Sequence, residues 1–266
     1  MKNKFSSSKQ MITYRSLGEM GRLGNQMFEY ASTRGIANNR NFDCGFPLPN
    51  DDIILYKCFK NTLKHSKQLP HYDVVYAQGF HFDEILFNEC VGDRDLLHFF
   101  QSEKYFKHIR DEIKSDFTFD DFIFNSCKTY IEEMYGDTEV ISLHVRRSDY
   151  LTDETLYPVS LDYYKEAINL LDPNIPILVI SDDIDWCEQQ DIFSPKRFNF
   201  IKSKNHFVDL CIMTLCNYHI IANSSFSWWG AWLAESKQVI APKRWFRWDN
   251  NTWITDDLYC PEWIVL

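Results

Sequence analysis

Short runs of apolar and β-branched residues alternate along this chain with segments whose apolar positions recur every three or four residues. The clearest run is Val140-Ile-Ser-Leu-His-Val145, which reads as a buried strand. Beyond it, residues 161–171 read as a helix with Tyr164, Ala167, Ile168 and Leu171 on one side, stopped by Asp172-Pro173. Strands are predicted at 177–180, 198–201, 219–222 and 239–241, with helices at 207–217 and 226–235 among them. Near the amino terminus the pattern predicts a strand at 12–17, a turn with Gly18, Gly21 and Gly24, and a helix over 25–38. Residues 41–95 are the least legible: Pro47, Pro49 and Pro70 interrupt them, and 76–82 reads as a strand. From Asp93 the pattern turns helical through Leu96, Leu97, Phe99 and Phe100 to Ile109 and Ile113. Residues 1–10 read as a polar tail. Alternating strand and helix predict an α/β protein with parallel sheet and helices on both faces. A division near Gly136-Asp137 separates lobes 1–136 and 137–266, with the last residues able to return to the first lobe.

Composition narrows the partners. The 266 residues are 45% hydrophobic, enough for a substantial core, and carry a net charge of −10, which disfavours a nucleic-acid-coating surface. A phosphate ligand stays open, because only its own pocket must be positive. Aromatic residues make up 16% of the chain. Trp228, Trp229 and Trp232 read as core packing rather than sugar platforms. The eight cysteines form no C-x-x-C pair, so they read as free thiols of a reducing compartment and not as a zinc site. No run approaches the length of a membrane-spanning helix, and the first residues lack the apolar stretch of a signal peptide.

Candidate chemistry collects at predicted strand ends. In a parallel sheet the strands deliver His144, Arg146 and Arg147, then Ser181-Asp182-Asp183, then Asn223-Ser224-Ser225 to one edge. Arginine forks match phosphate oxygens, and Ser224 or Ser225 opens a helix whose free N–H groups favour an anion. Together these make a diphosphate clamp. Asp209 is an acceptor that could take the paired N–H donors of a purine. Taken singly, the serines are also ordinary helix caps, the aspartates turn residues, and Asp209 a solvated helix position. Asp183-Ile-Asp185 has the D-x-D spacing of some metal sites, but arginines that neutralise the diphosphate make a metal unnecessary.

Four blocks carry a resemblance. Gly21-Arg-Leu-Gly-Asn-Gln-Met-Phe28, Phe100-Gln-Ser-Glu-Lys-Tyr-Phe106, His144-Val-Arg-Arg-Ser-Asp-Tyr150 and Asn223-Ser-Ser-Phe-Ser-Trp-Trp-Gly-Ala-Trp-Leu233 resemble the signature blocks of the α-1,2-fucosyltransferases, glycosyltransferase family eleven. They stand in the family's order across nearly the whole chain. Ser148 departs from the family's usual glycine, and no motif covers 41–95. The resemblance implies a GT-B-like fold of two Rossmann-like lobes with the active site in the cleft between them. It implies an inverting, metal-independent galactoside α-1,2-fucosyltransferase that needs no cofactor beyond its donor substrate, GDP-β-L-fucose.

By that resemblance the carboxyl-terminal lobe binds the donor through His144, Arg146, Arg147, Asp209, Asn223, Ser224 and Ser225. The acceptor, a galactose-containing oligosaccharide or polysaccharide, would meet Arg22, Asn25, Gln26 and Gln101. Arg146 and Asn25 would serve catalysis, with Asp149 as candidate base; a departing phosphate oxygen could take the proton instead. A cytoplasmic protein is implied, with peripheral attachment to the inner membrane left open. Two other readings stand beside this one: a transferase of another GDP-sugar, and a non-catalytic module that binds a GDP-sugar or carbohydrate.

Overall fold

The computed structural model describes residues 9–247 and 253–266. The tail expected over 1–10 lies, through residue 8, outside the described residues. The chain divides into two compact units, Met1–Thr118 with Asp256–Leu258, and Phe119–Thr255 with Tyr259–Leu266.

The first unit contains strand β1 (Met11–Thr13), helix α1 (Leu23–Asn39), β2 (Asp43–Gly45), α2 (Leu55–Cys58), β3 (Asp73–Tyr76), α3 (Glu84–Glu89), β4 (Arg94–Leu97) and α4 (Arg110–Asp116). Its strands pair in the order β2-β1-β4-β3, all parallel. The helical pattern expected from Asp93 onward is corrected here. Leu96 and Leu97 end a strand that pairs on both sides, with β1 and with β3. Buried Asp95 fixes that strand by accepting from the Thr13 hydroxyl at 2.7 Å and the Arg15 N–H at 2.9 Å. The first strand stops at Thr13, and the strand expected over 76–82 lies earlier, at β3. Helix α1 has little amphipathic contrast because it is buried on nearly every side, Glu29, Ser32 and Thr33 included.

The second unit runs α5 (Asp121–Tyr135), β5 (Ile141–Val145), α6 (Leu161–Asn169), β6 (Ile177–Ser181), α7 (Ile184–Glu188), β7 (Phe198–Phe200), α8 (His206–Thr214), β8 (Tyr218–Ile220), α9 (Ser225–Leu233), β9 (Gln238–Ala241) and β10 (Ile264–Val265). The sheet order is β10-β9-β8-β5-β6-β7, again all parallel. Every residue of β5 is buried, as its apolar run predicts. Ile141, Leu143 and Val145 pack with Tyr163, Tyr164 and Ala167 of α6. Helix α9 carries Trp228, Trp229 and Trp232, each fully buried, as core rather than sugar platforms. Helix α5 packs on α8, which places 119–136 in this unit, so the division falls before α5 and not near Gly136.

All eight cysteines are buried thiols, none joined in a disulfide. Among the described residues no helix is long and apolar enough to cross a membrane. Each unit is thus a Rossmann-like α/β layer structure of the kind the alternating pattern predicts.

Glu29 gives the first unit a measurable signature. It is 0% exposed beside the Tyr14 hydroxyl, and burial holds its pKa well above the ordinary 4.5. The folded chain keeps a proton that the unfolded chain releases, so stability falls as pH rises above about 4.5. Glu29→Gln keeps the shape without the ionisation. Its melting temperature relative to the parent should rise between about pH 5 and about pH 8. A difference independent of pH would show that Glu29 is ionised in the fold.

Candidate active site

Both sheets have a point where the strand order reverses. In the second unit the chain steps from β5 outward through β6 to β7, then returns to the other side of β5 with β8. The carboxyl ends of β5 and β8 therefore flank a crevice, the place where open α/β sheets take ligands. β5 delivers His144, Arg146 and Arg147 there, and the turn after β8 delivers Asn223, Ser224 and Ser225.

The arginines are held by neighbours. Arg146 makes an ion pair with Asp182 at 2.9 Å and another with Asp149, and its guanidinium lies 5.3 Å from the Tyr150 ring. Arg147 stacks 3.7 Å over the Trp186 ring and pairs with Asp183 at 3.1 Å, while its backbone N–H donates to Asp182 at 2.9 Å. Both side chains are only 16–17% exposed. Such arrest lowers the entropy cost of meeting an anion and fixes where the forks point. Asp182 and Asp183 are thus arginine partners, and Asp183 also caps α7 by accepting from the Trp186 N–H at 3.3 Å. Asp183 is engaged by Arg147 and the cap, and among the described residues no group of three or more metal-ligating side chains is assembled.

Ser224 is the N-cap of α9, accepting the Phe226 N–H at 3.3 Å. Half-buried Ser225 opens the helix, where backbone N–H groups and the macrodipole favour negative charge. Asn223 faces inward instead. Its amide donates to the carbonyls of Tyr157 at 3.1 Å and Trp245 at 2.8 Å, tying the loops after β5 and β9 together. The Tyr150 hydroxyl donates to the Asn223 carbonyl at 3.1 Å, so the arginine turn and the α9 turn are joined.

His144 is 5% exposed, its ring 5.7 Å from that of Phe226. Burial, with Arg146 nearby, pushes its pKa down to about 3, so the imidazole is neutral. Its Nδ1 is buried without a hydrogen-bond partner among the described residues, and so is Oδ1 of Asp209. Asp209 sits in the first turn of α8, which follows β7 and therefore starts on the same edge. Burial pushes its pKa up to about 7. With Oδ1 of Asn223, which is likewise buried without a partner among the described residues, three orphaned polar atoms lie at this sheet edge; they are costly, about 1–3 kcal/mol each, and fit a site that takes a polar ligand.

The first unit presents a smaller constellation at its own switch point, between β1 and β4. Gly21 has φ +77°, and a Cβ there would lie 2.1 Å from Nδ2 of Asn25, so glycine lets the Asn25 carboxamide fold back over the turn. Gln101 donates to Oδ1 of Asn25 at 3.0 Å. Arg22 is exposed at the N-cap of α1. Gln26 is 1% exposed, and both ends of its amide are engaged, with Asp52 O at 2.9 Å and Leu55 N at 3.1 Å. It braces the loop before α2 rather than facing outward.

The sequence pattern does not reveal the partners of the arginines. Tyr150 and Trp186 look like ordinary aromatic positions, and only their distance from a guanidinium marks them. Ser148, where the resemblance leads one to expect glycine, has no positive φ; among the described residues the non-glycines with one are Asn41, Asp93 and Phe100.

The model of Glycosyl transferase family 11 matches residues 2–266. An alpha-1,2-colitosyltransferase of Escherichia coli is 31% identical, with 85% of this chain and 90% of that protein covered. The O-antigen biosynthesis glycosyltransferase WbnK of Escherichia coli is 32% identical over 64% of this chain and 60% of its own length. Human galactoside alpha-(1,2)-fucosyltransferase 1 is 25% identical over 82% of this chain and 65% of its own length. Among solved structures, the NodZ alpha-1,6-fucosyltransferase co-crystallised with GDP superposes with a TM-score of 0.56 at 12% identity, covering 86% of this chain and 93% of that one. POFUT1 in complex with GDP superposes at 0.51 and 12% identity over 97% and 98%. These likenesses show the GT-B-like fold.

Replacing Ser224 with Ala should remove the α9 cap and lower the stability of the second unit by about 1 kcal/mol. A denaturant midpoint measured on tryptophan fluorescence checks this, since α9 carries three buried tryptophans. An unchanged midpoint would mean that the cap is not a determinant of α9.

Proposed function

The chain belongs to glycosyl transferase family 11, and we propose that it moves L-fucose from GDP-β-L-fucose to the 2-hydroxyl of a terminal galactoside, with inversion. The observation that carries this reading is the anion clamp at the β5–β8 switch point: Arg146 and Arg147 beside the α9 start. The relatives named as galactoside α-(1,2)-fucosyltransferases support the reaction, and the neighbours solved with GDP support the donor class.

In this reading the diphosphate meets Arg146, with Arg147 beside it, and the start of α9 at Ser224 and Ser225, where the Ser224 N–H itself is engaged by the Ala222 carbonyl at 2.7 Å. Guanine offers two N–H donors to Asp209, and neutral His144 supplies a further polar contact. Asn223 supports the turn from beneath. In the first unit Asn25, Gln101 and Arg22 contact the acceptor, with Gln26 bracing them. The acceptor oxygen forms a bond to the anomeric carbon as the bond from that carbon to the diphosphate breaks. Negative charge grows on the leaving diphosphate, where Arg146 and the helix start are already oriented to receive it. Asp149 is paired with Arg146, so its role here is to orient that guanidinium. The hydroxyl proton then passes to a departing phosphate oxygen. Two guanidiniums and a helix N-terminus neutralise the diphosphate, so no metal or other cofactor is required. Buried thiols outside any disulfide suit a cytoplasmic location.

A second donor is favoured by one observation: the 31% identical relative is named an α-1,2-colitosyltransferase. Colitose is fucose without its 3-hydroxyl, so the same clamp would serve. The deciding assay is transfer to a panel of β-galactosides in EDTA, from GDP-fucose and GDP-colitose side by side, read by product mass and linkage. A 2-O-fucosylated product is expected. Faster colitosyl transfer would assign the second donor, and tight GDP binding with no product from any pairing would leave a non-catalytic module.

Arg146→Ala should keep the fold and lower the transfer rate about 10²–10³-fold. Unchanged turnover would remove Arg146 from the mechanism. Asp209 adds a pH dependence. With its pKa at about 7, binding that needs the carboxylate should weaken about tenfold for each pH unit below about 7. Calorimetric GDP titration should show that slope in the parent and lose it in Asp209→Asn; equal slopes would place guanine elsewhere.

A further inference from the structure

In the first unit, the segment from His98 to Tyr105 is fixed from several directions. The Tyr14 hydroxyl donates to the His98 carbonyl at 2.8 Å. The buried Ser32 hydroxyl of α1 donates to the Phe100 carbonyl at 3.1 Å. Three residues further along α1, Gly35 faces the carbonyl of Tyr105 so closely that a Cβ would lie 1.9 Å from its oxygen. The Tyr105 hydroxyl accepts the Asp83 N–H at 2.7 Å. Ser102, 0% exposed, starts the short 3-10 turn Glu103–Tyr105.

Between these anchors Phe100 has φ +50°, a left-handed conformation that a bulky side chain disfavours. Its ring is 2% exposed and meets Tyr14, His98 and Tyr105 edge-on, with centroids 6.4, 5.9 and 5.4 Å away. Strain of this kind persists only where the surroundings over-determine it. Its consequence lies one residue on. The turn at Phe100 directs Gln101 back across α1, where its amide donates to Oδ1 of Asn25 at 3.0 Å. Asn25 and Ser32 are seven residues apart, so they share a face of α1. The same helix face that carries one member of the carboxamide pair therefore dictates the position of the other.

We propose that Ser32 and Gly35 are positioning residues: α1 uses them as a template for the strained Phe100 turn, so that Gln101 and Asn25 are presented as a pre-set carboxamide pair to the hydroxyls of a sugar acceptor. Paired amides keep donor and acceptor functions in a fixed relation, which suits hydroxyl groups that both give and take a hydrogen bond. Pre-setting removes the ordering cost of two long polar side chains when the sugar arrives. The inference rests on the reading that this pair contacts the acceptor.

The test is Ser32→Ala, with Ser32→Thr as the variant that keeps the hydroxyl. Neither touches Asn25 or Gln101 chemically. In Ser32→Ala the KM for the galactoside should rise about tenfold, with the KM for the GDP-sugar and the Kd for GDP unchanged; this shift is of the order of one lost hydrogen bond. Ser32→Thr should restore the parent values. Parent-like kinetics in Ser32→Ala, or equal changes in both KM values, would overturn the positioning role. A separate readout keeps the two ideas apart. The side-chain amide protons of Gln101, followed by NMR, should exchange slowly in the parent and faster in Ser32→Ala. If the parent transfers to no galactoside while that exchange difference is present, the acceptor reading fails and the template stands. If Gln101 exchanges alike in both, the template fails whatever the activity. Should Ser32→Ala not fold, Ser32→Cys, nearly the same size and a weak donor, is read in the same way.

Discussion

The site depends on one constraint: two guanidinium groups must be delivered to the edge of a sheet by a strand that is itself wholly buried. β5 has a neighbour on each side and packs Ile141, Leu143 and Val145 against α6, so its carboxyl end cannot shift without disturbing the core. Arg146 and Arg147 leave that strand into a cage of Asp149, Asp182, Asp183, Tyr150 and Trp186. Isolated exposed ion pairs contribute little to stability. Here the pairs do something else. They stop two long side chains from exploring solvent, and they do so at the point where the strand order reverses.

The same logic recurs in the first unit with neutral groups. Gly21 lets Asn25 fold over the turn, and the left-handed Phe100 brings Gln101 to meet it. A rigid parallel sheet supplies the frame, a glycine turn gives close approach, and polar side chains are fixed by hydrogen bonds rather than left to find their positions. Charge distinguishes the two constellations. Guanidiniums with a helix start suit a diphosphate, whereas carboxamides suit hydroxyl groups.

Much of this is legible in the residues because burial in a parallel sheet writes itself as short runs rich in apolar and β-branched residues. β5, β6 and β8 are clear for that reason, and the clustering of His144, Arg146 and Ser224 on one edge follows from the parallel topology. β4 is not legible: Leu96 and Leu97 sit in a four-residue strand that continues into aromatic residues, and periodicity cannot separate so short a run from a helix. Helix α5 is not legible either, nor is its consequence for the unit boundary, since its packing on α8 is a long-range contact with only Cys127 deeply buried. Asn223 and Gln26 carry the right chemistry for ligand contact, but the Asn223 Nδ2 faces two backbone carbonyls and both ends of the Gln26 amide are taken by backbone groups. Side-chain direction of that kind depends on neighbours distant in sequence, such as Trp245 for Asn223 and Leu55 for Gln26.

A crystal structure with GDP bound shows directly whether the arginines and the start of α9 hold the diphosphate. The β-phosphate should lie within about 3 Å of the Arg146 guanidinium and of a backbone N–H at the start of α9, with the guanine edge on Asp209. A diphosphate bound away from the β5–β8 switch point, with Arg146 still held only by Asp149 and Asp182, would contradict this placement.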